Sequence, residues 1–274
     1  MFQMHSSSKD DVPAKKSSPR SFPLAPVAIY NAWHEQENIL MRATPTVLIT
    51  GANRGLGLEW ARQYAEAGWR VIASCRHPGE ADDLRALAGS HPRVSVHRLD
   101  VTDGEQLRTL QLDLEEATID VLLNNAGVYL DKFMGEVGGI DYDVWLRTFA
   151  VNTLGAVRVS EAFVGQVARS EKKRVVAISS HMGSITEIGA PGSYAYRSSK
   201  AALNAAMKGL AHALAPHGIG VLLLHPGWVG TRMGGPDALL TPAQSVRAMR
   251  ALVEGFKPEM NGRFFRYDGS EIPW

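Results

Sequence analysis

Tyr196 and Lys200, in the run Tyr196-Arg197-Ser198-Ser199-Lys200, stand four residues apart, a spacing that brings two side chains onto one face of a helix. A phenol and an ammonium held together make an acid/base couple. A free tyrosine has a pKa of about 10, and a neighbouring cation favours the tyrosinate and lowers that value. The pair is therefore expected to protonate an alkoxide or deprotonate an alcohol near neutral pH. Tyr194 is a rival phenol, but the residue four positions on is Ser198, which carries no charge. Ser179 and Ser180 end an apolar strand-like run and could offer a hydroxyl to a substrate oxygen. Asn152 interrupts a long helical pattern, where Asn tends to bond or distort the backbone, so a kink or a water site is expected there.

A second chemistry is written in Thr50-Gly51-Ala52-Asn53-Arg54-Gly55-Leu56-Gly57, between an apolar strand and a helical pattern. Its glycines permit a tight turn and close approach of the backbone to a pyrophosphate, which the free amides and positive end of the next helix attract. The spacing Gly-x3-Gly-x-Gly is a looser form of the dinucleotide fingerprint. The second strand decides which dinucleotide. An NAD site normally offers a carboxylate there for the ribose hydroxyls, yet the chain reads Ser74-Cys75-Arg76-His77. Arg76, with Arg54 of the turn, could clamp a 2′-phosphate instead, so NADP(H) is expected over NAD(H). Asp100-Val101 and Asn124-Asn125-Ala126-Gly127 follow the next two strands, where small and amide side chains could line an adenosine.

Elements must hold these loops together. Short aliphatic runs at 47–50, 70–75, 94–99, 119–123, 174–179, 220–225 and 263–267 read as strands. Helical patterns at 59–67, 81–88, 105–115, 143–167, 195–215 and 242–254 alternate with them. This alternation predicts an α/β fold, a single doubly wound Rossmann domain over 46–274 with a parallel sheet of about seven strands and helices on both faces. Ligands gather beyond the carboxyl ends of such strands, at the switch in strand order. Residues 1–45, broken by Pro13, Pro19, Pro23 and Pro26, read as a disordered extension.

The 29 basic and 28 acidic residues nearly cancel, which argues against broad attraction to nucleic acid or anionic lipid. Cys75 is the one cysteine, so no intrachain disulfide can form and a reducing, cytoplasmic setting is expected. The apolar runs fall far short of the ~20 residues that span a bilayer.

In this order, Thr50 to Gly57, Asn124 to Gly127, Asn152, Ser180, Tyr196, Lys200 and Pro226-Gly227 resemble the short-chain dehydrogenase/reductase family. The resemblance runs from about Val47 to the C-terminus. It implies that Tyr196 is the general acid/base, that Lys200 lowers its pKa and holds the nicotinamide ribose, that Ser180 positions the carbonyl, and that Asn152 anchors a water. It also implies cofactor contacts from Pro226, Gly227, Val229 and Thr231. The run from Tyr194 to Asn204 and the ending from Tyr267 to Trp274 look like the C-factor and sniffer carbonyl-reductase subgroup. Ser180 lies sixteen residues before Tyr196, wider than the usual family gap, so the loop 182–193 reads as an insertion and Ser184 rivals Ser180. The function implied is NADPH-dependent reduction of an aldehyde or ketone, with a small-molecule carbonyl or alcohol as substrate. The alternative is a C-factor-like signalling or redox-sensing protein with little turnover. Family members often assemble as homodimers or homotetramers. Leu130, Phe133, Met134, Met182, Ile185, Trp228, Met233 and Leu239 are expected to form one apolar substrate pocket.

Overall fold

The computed structural model describes residues 44–132 and 137–274. The extension expected over 1–45 therefore lies almost wholly outside the described residues, as do Phe133 and Met134.

Seven parallel strands form one sheet: β1 (Thr46–Thr50), β2 (Arg70–Cys75), β3 (Val94–Arg98), β4 (Val121–Asn124), β5 (Arg174–Ile178), β6 (Gly220–His225) and β7 (Phe264–Arg266), in the order β3-β2-β1-β4-β5-β6-β7. The sheet interior is apolar on both faces, as parallel strands covered by crossover helices require. Alternation within a strand sorts side chains between two cores. Val47 and Ile49 of β1 meet α1 (Gly55–Glu66) and α7 (Pro242–Glu254) through Trp60, Tyr64, Val246 and Met249. Leu48 between them faces α3 (Gly104–Asp113), α5 (Ala156–Ala168) and α6 (Tyr194–Leu214) through Leu107, Phe163, Leu203 and Met207. Helix α2 (Asp82–Ser90) covers the outer part of the first face through Leu84.

Helix starts follow ordinary capping chemistry. Asp103 accepts from the amides of Glu105 and Gln106, and Thr241 forms a capping box with Gln244 before Pro242. Two boundaries differ from the sequence reading. Helix α1 begins at Gly55 inside the glycine turn, with no side-chain cap, so its first-turn amides are left without an acceptor from the cap. The helix read over 143–167 is interrupted: α4 (Tyr142–Phe149) leads into a π-helical stretch, Ala150–Gly155, before α5. Gly155 ends that stretch where an added Cβ would stand 2.6 Å from a Val101 methyl, so the widened turn rests directly on the loop after β3. Among the described residues no helix is long and apolar enough to cross a membrane.

Candidate active site

The strand order switches between β1 and its parallel neighbour β4, where Val47 lies opposite Val121. The loops after these strands are tied to each other. The Thr50 hydroxyl accepts the amides of Asn125 and Ala126 at 3.0 Å, and the Asn125 amide nitrogen donates to the carbonyls of Thr50 (2.9 Å) and Gly51 (3.1 Å). Gly51 has φ +67°, left-handed backbone that favours glycine. Gly57 has no room at all: a Cβ would stand 2.1 Å from the Gly51 carbonyl oxygen.

One cavity of about 590 Å³ opens over this edge. Of the residues expected in a cofactor site, Gly51, Asn53, Arg54, Gly55, Leu56, Gly57, Arg76, Asp100, Val101, Ala126, Gly127, Tyr196, Lys200, Pro226 and Thr231 all line it. Asn124, Gly227 and Val229 do not. The Asn124 amide turns into the core and donates to the Ser160 hydroxyl at 2.9 Å, so of the two asparagines it is Asn125 that meets the glycine turn. Gly227, at φ +81°, is pressed by Leu240 and Tyr267, and buried Val229 pairs its backbone with Leu240. Cys75 lines the cavity with its thiol pKa raised by burial, which keeps it protonated.

Tyr196 and Lys200 share one face of α6 and are both buried, at 6% and 4% exposure. The Ser180 hydroxyl hydrogen-bonds the Tyr196 phenol, whereas the Ser184 hydroxyl accepts the Glu187 amide and serves its own loop. Lys200 Nζ donates to the Ile178 carbonyl at 2.8 Å and lies 5.9 Å from the Tyr196 ring centroid. The π-helical stretch delivers Asn152. Its Oδ1 accepts the Val128 amide at 2.8 Å, and its Nδ2 donates to the Val128 carbonyl at 2.9 Å and the Ser199 hydroxyl at 3.0 Å. That side chain thus clamps the loop after β4 to α6.

The electrostatics depart from the sequence reading. Burial pushes the Tyr196 phenol up to about 12, the Ser180 bond pulling down, and Tyr129 and Asp131 adding to the rise. Burial pulls Lys200 down to about 8. Loss of solvation is the largest of these effects, so in the free protein the phenol keeps its proton as a donor.

Lys200 carries a pH signature. The unfolded chain keeps its proton up to the ordinary value of 10.5, while the folded chain releases it near 8. Between those values the unfolded state binds more protons, so stability rises with pH. Urea midpoints of the wild type should gain on those of Lys200→Met between pH 8 and 10; parallel curves would mean that Lys200 does not titrate in this window.

Two residues in the site carry no signal in the sequence. The Tyr129 ring stacks on Tyr196 with centroids 4.2 Å apart, and its hydroxyl lies 2.5 Å from the Ser193 hydroxyl. Buried Asp131 accepts the amides of Ala195 (2.8 Å) and Tyr196 (3.2 Å), supplying the missing cap of α6. Both act across more than sixty residues of chain, a separation that no local pattern encodes.

The expected apolar pocket does not form as one. Leu130 and Met233 line the cofactor cavity, whereas Met182 and Ile185 line another of about 690 Å³, together with Trp145 and Tyr194. Trp228 and Leu239 line neither, and are 50% and 84% exposed. Two helix positions apart means about 200° of rotation, so Tyr194 and Tyr196 face different cavities.

A family model described as short chain dehydrogenase matches residues 45–238. The C-signal of Myxococcus xanthus is 44% identical over 168 residues, covering 61% of this chain and all of that protein. Among solved structures, the carbonyl reductase Sniffer of D. melanogaster superposes with a TM-score of 0.78 at 30% identity, covering 85% of this chain and all of that one. An NADPH-bound carbonyl reductase from chicken fatty liver gives 0.77 at 28% identity, over 84% and 99%.

Proposed function

The chain belongs to the short-chain dehydrogenase family of nicotinamide-dependent oxidoreductases, and from that premise we propose that it reduces an aldehyde or ketone to the alcohol with NADPH. The observation that carries this reading is the continuity of one cavity, from the glycine turn and Arg76 at one end to the Tyr196 phenol at the other. Gly57 lets the first turn of α1 pack against the Gly51 carbonyl, and the free amides at the start of that helix fit a pyrophosphate. Arg54 and Arg76 would hold the 2′-phosphate, Asp100 and Val101 would border the adenosine, and Lys200 the second ribose. Bound there, the cofactor supplies the hydride.

The protein's own part is orientation and a proton. Ser180 directs the substrate oxygen toward the Tyr196 hydroxyl, which donates its proton to the nascent alkoxide. Burial holds the phenol protonated at neutral pH, the form that donation to an alkoxide requires. Asn152 and Asp131 fix α6 from two sides, so the phenol reaches the oxygen without searching. Leu130, Met233 and the ring of Tyr129 give the cavity apolar wall, which suits an apolar carbonyl compound.

The identity to the C-signal favours one other reading, a signalling or redox-sensing protein that binds the nucleotide with little turnover. A panel of aldehydes and ketones, followed by loss of NADPH absorbance, separates the two. Turnover supports the reductase; tight NADP binding with no oxidation across the panel supports the sensor. In calorimetry, Arg76→Ala should weaken NADP by about ten- to a hundredfold, the range of a charge-assisted bond, and leave NAD within twofold. Unchanged NADP affinity would refute the phosphate clamp.

A further inference from the structure

We propose that Arg232 is the third arm of the 2′-phosphate site, and that it couples recognition of that phosphate to the loop after β6. This rests on the NADP(H) reading above and extends it to a residue that the sequence reading did not single out.

Beside the cofactor cavity lies a second space of about 610 Å³, bordered by His77 and Glu80 in the loop after β2 and by Asp83 in α2. The two spaces share four residues, Asn53, Arg54, Arg76 and Arg232. Three are arginines, and each comes from a different segment: the glycine turn, the end of β2 and the loop after β6. Their junction lies at the ribose end of the cavity, on the side of β2 and away from Tyr196.

Among the described residues none of these three guanidinium groups has an ion-pair or hydrogen-bond partner. Acids are close by, yet Asp82 pairs with Arg85, and Glu80 and Asp83 pair with neither Arg54, Arg76 nor Arg232. Other arginines do find acids: Arg62, Arg250, Arg263 and Arg266 each meet a glutamate. The pKa of Arg54 is held below the ordinary arginine value, by burial first and then by the charges of Arg232 and Arg76. Three unpaired cations that repel one another form a site for a multiply charged anion. A phosphate monoester offers about two negative charges and three acceptor oxygens, which planar guanidinium groups match in pairs.

The backbone presents Arg232 in a fixed place. The Thr231 amide donates to the Val229 carbonyl at 2.8 Å, and its carbonyl accepts the Gly235 amide at 2.8 Å. The Thr231 hydroxyl accepts the Gly234 amide at 3.2 Å. The neighbouring Met233 carbonyl accepts Lys132 Nζ at 2.9 Å. Phosphate held by Arg232 therefore anchors the segment that carries Met233 into the cavity. An NAD molecule, which lacks that phosphate, would leave the anchor unused.

The test is calorimetry of NADP and NAD with the full chain as wild type, Arg232→Gln, Arg232→Lys and Arg76→Ala. Arg232→Gln should weaken NADP about tenfold or more and leave NAD within twofold, with Arg232→Lys recovering part of the loss. Equal losses for both nucleotides would place Arg232 on the pyrophosphate, and no loss for either would remove it from the site; both results overturn the inference. If Arg76→Ala alone discriminates, this inference fails while the NADP reading stands. A wild type that binds both nucleotides equally defeats that reading, and the inference with it.

Discussion

Tyr196→Phe should lower kcat for carbonyl reduction by about a thousandfold, within the range of general acid catalysis, while NADPH affinity stays within twofold. The variant removes one oxygen and keeps the ring. Its stack on Tyr129 at 4.2 Å needs no hydroxyl, and the Asp131 cap binds backbone amides that phenylalanine also has. The loss is therefore chemical and not architectural. The phenol is the acidic side chain that Ser180 meets, and burial keeps its proton in place. Lys200 is held away from this role by its bond to the Ile178 carbonyl and its 5.9 Å distance from the ring centroid. Steady-state kinetics on any reduced substrate, with NADPH titrated by fluorescence, reads both numbers. Retention of kcat within tenfold would take the proton-donor role away from Tyr196.

Gly57→Ala should abolish measurable nucleotide binding and destabilise the fold by about 2–3 kcal/mol, the usual scale of overpacking. The added methyl meets the Gly51 carbonyl oxygen at 2.1 Å and the Asn125 amide nitrogen at 2.6 Å. Neither can withdraw cheaply. The Gly51 carbonyl accepts the Asn125 side chain, and Asn125 in turn binds Thr50, so one methyl unlocks β1 from β4 where the cofactor would lie. Gly89→Ala is the matched control. It lies in α2 with nothing within 4 Å of an added Cβ, and alanine there should be neutral or stabilising by up to about 1 kcal/mol. Urea denaturation of both variants checks the contrast; a Gly57→Ala protein as stable as wild type, with normal NADPH binding, would contradict the turn geometry.

The parts of the site that the chain itself spells out are local. The glycine turn is one stretch of eight residues, and its strand-turn-helix setting follows from periodicity. Tyr196 and Lys200 share a helix face because four residues make about one turn. The same arithmetic turns Tyr194 away, and that too is visible beforehand. Strand positions, the doubly wound order and the gathering of loops at one sheet edge follow from alternating apolar runs, which parallel packing demands.

What only the tertiary structure decided is whatever depends on neighbours distant in sequence. Asn152 announces a disturbance in its helix, but the π-helical stretch and the clamp on Val128 and Ser199 exist only once β4 and α6 are adjacent. The substrate wall was misjudged for the same reason: eight apolar residues near three strand ends look alike in sequence, yet α6 separates Met182 and Ile185 from Leu130 and Met233. The proton affinity of Tyr196 is raised and not lowered because of burial, which no spacing rule reports. Thus the identities and order of the reacting groups were set by short-range pattern, since periodicity is a property of a few consecutive residues. Their partners and ionisation were set by the packed interior, where Asp131, Tyr129 and Arg232 arrive from segments whose proximity is created only by the fold.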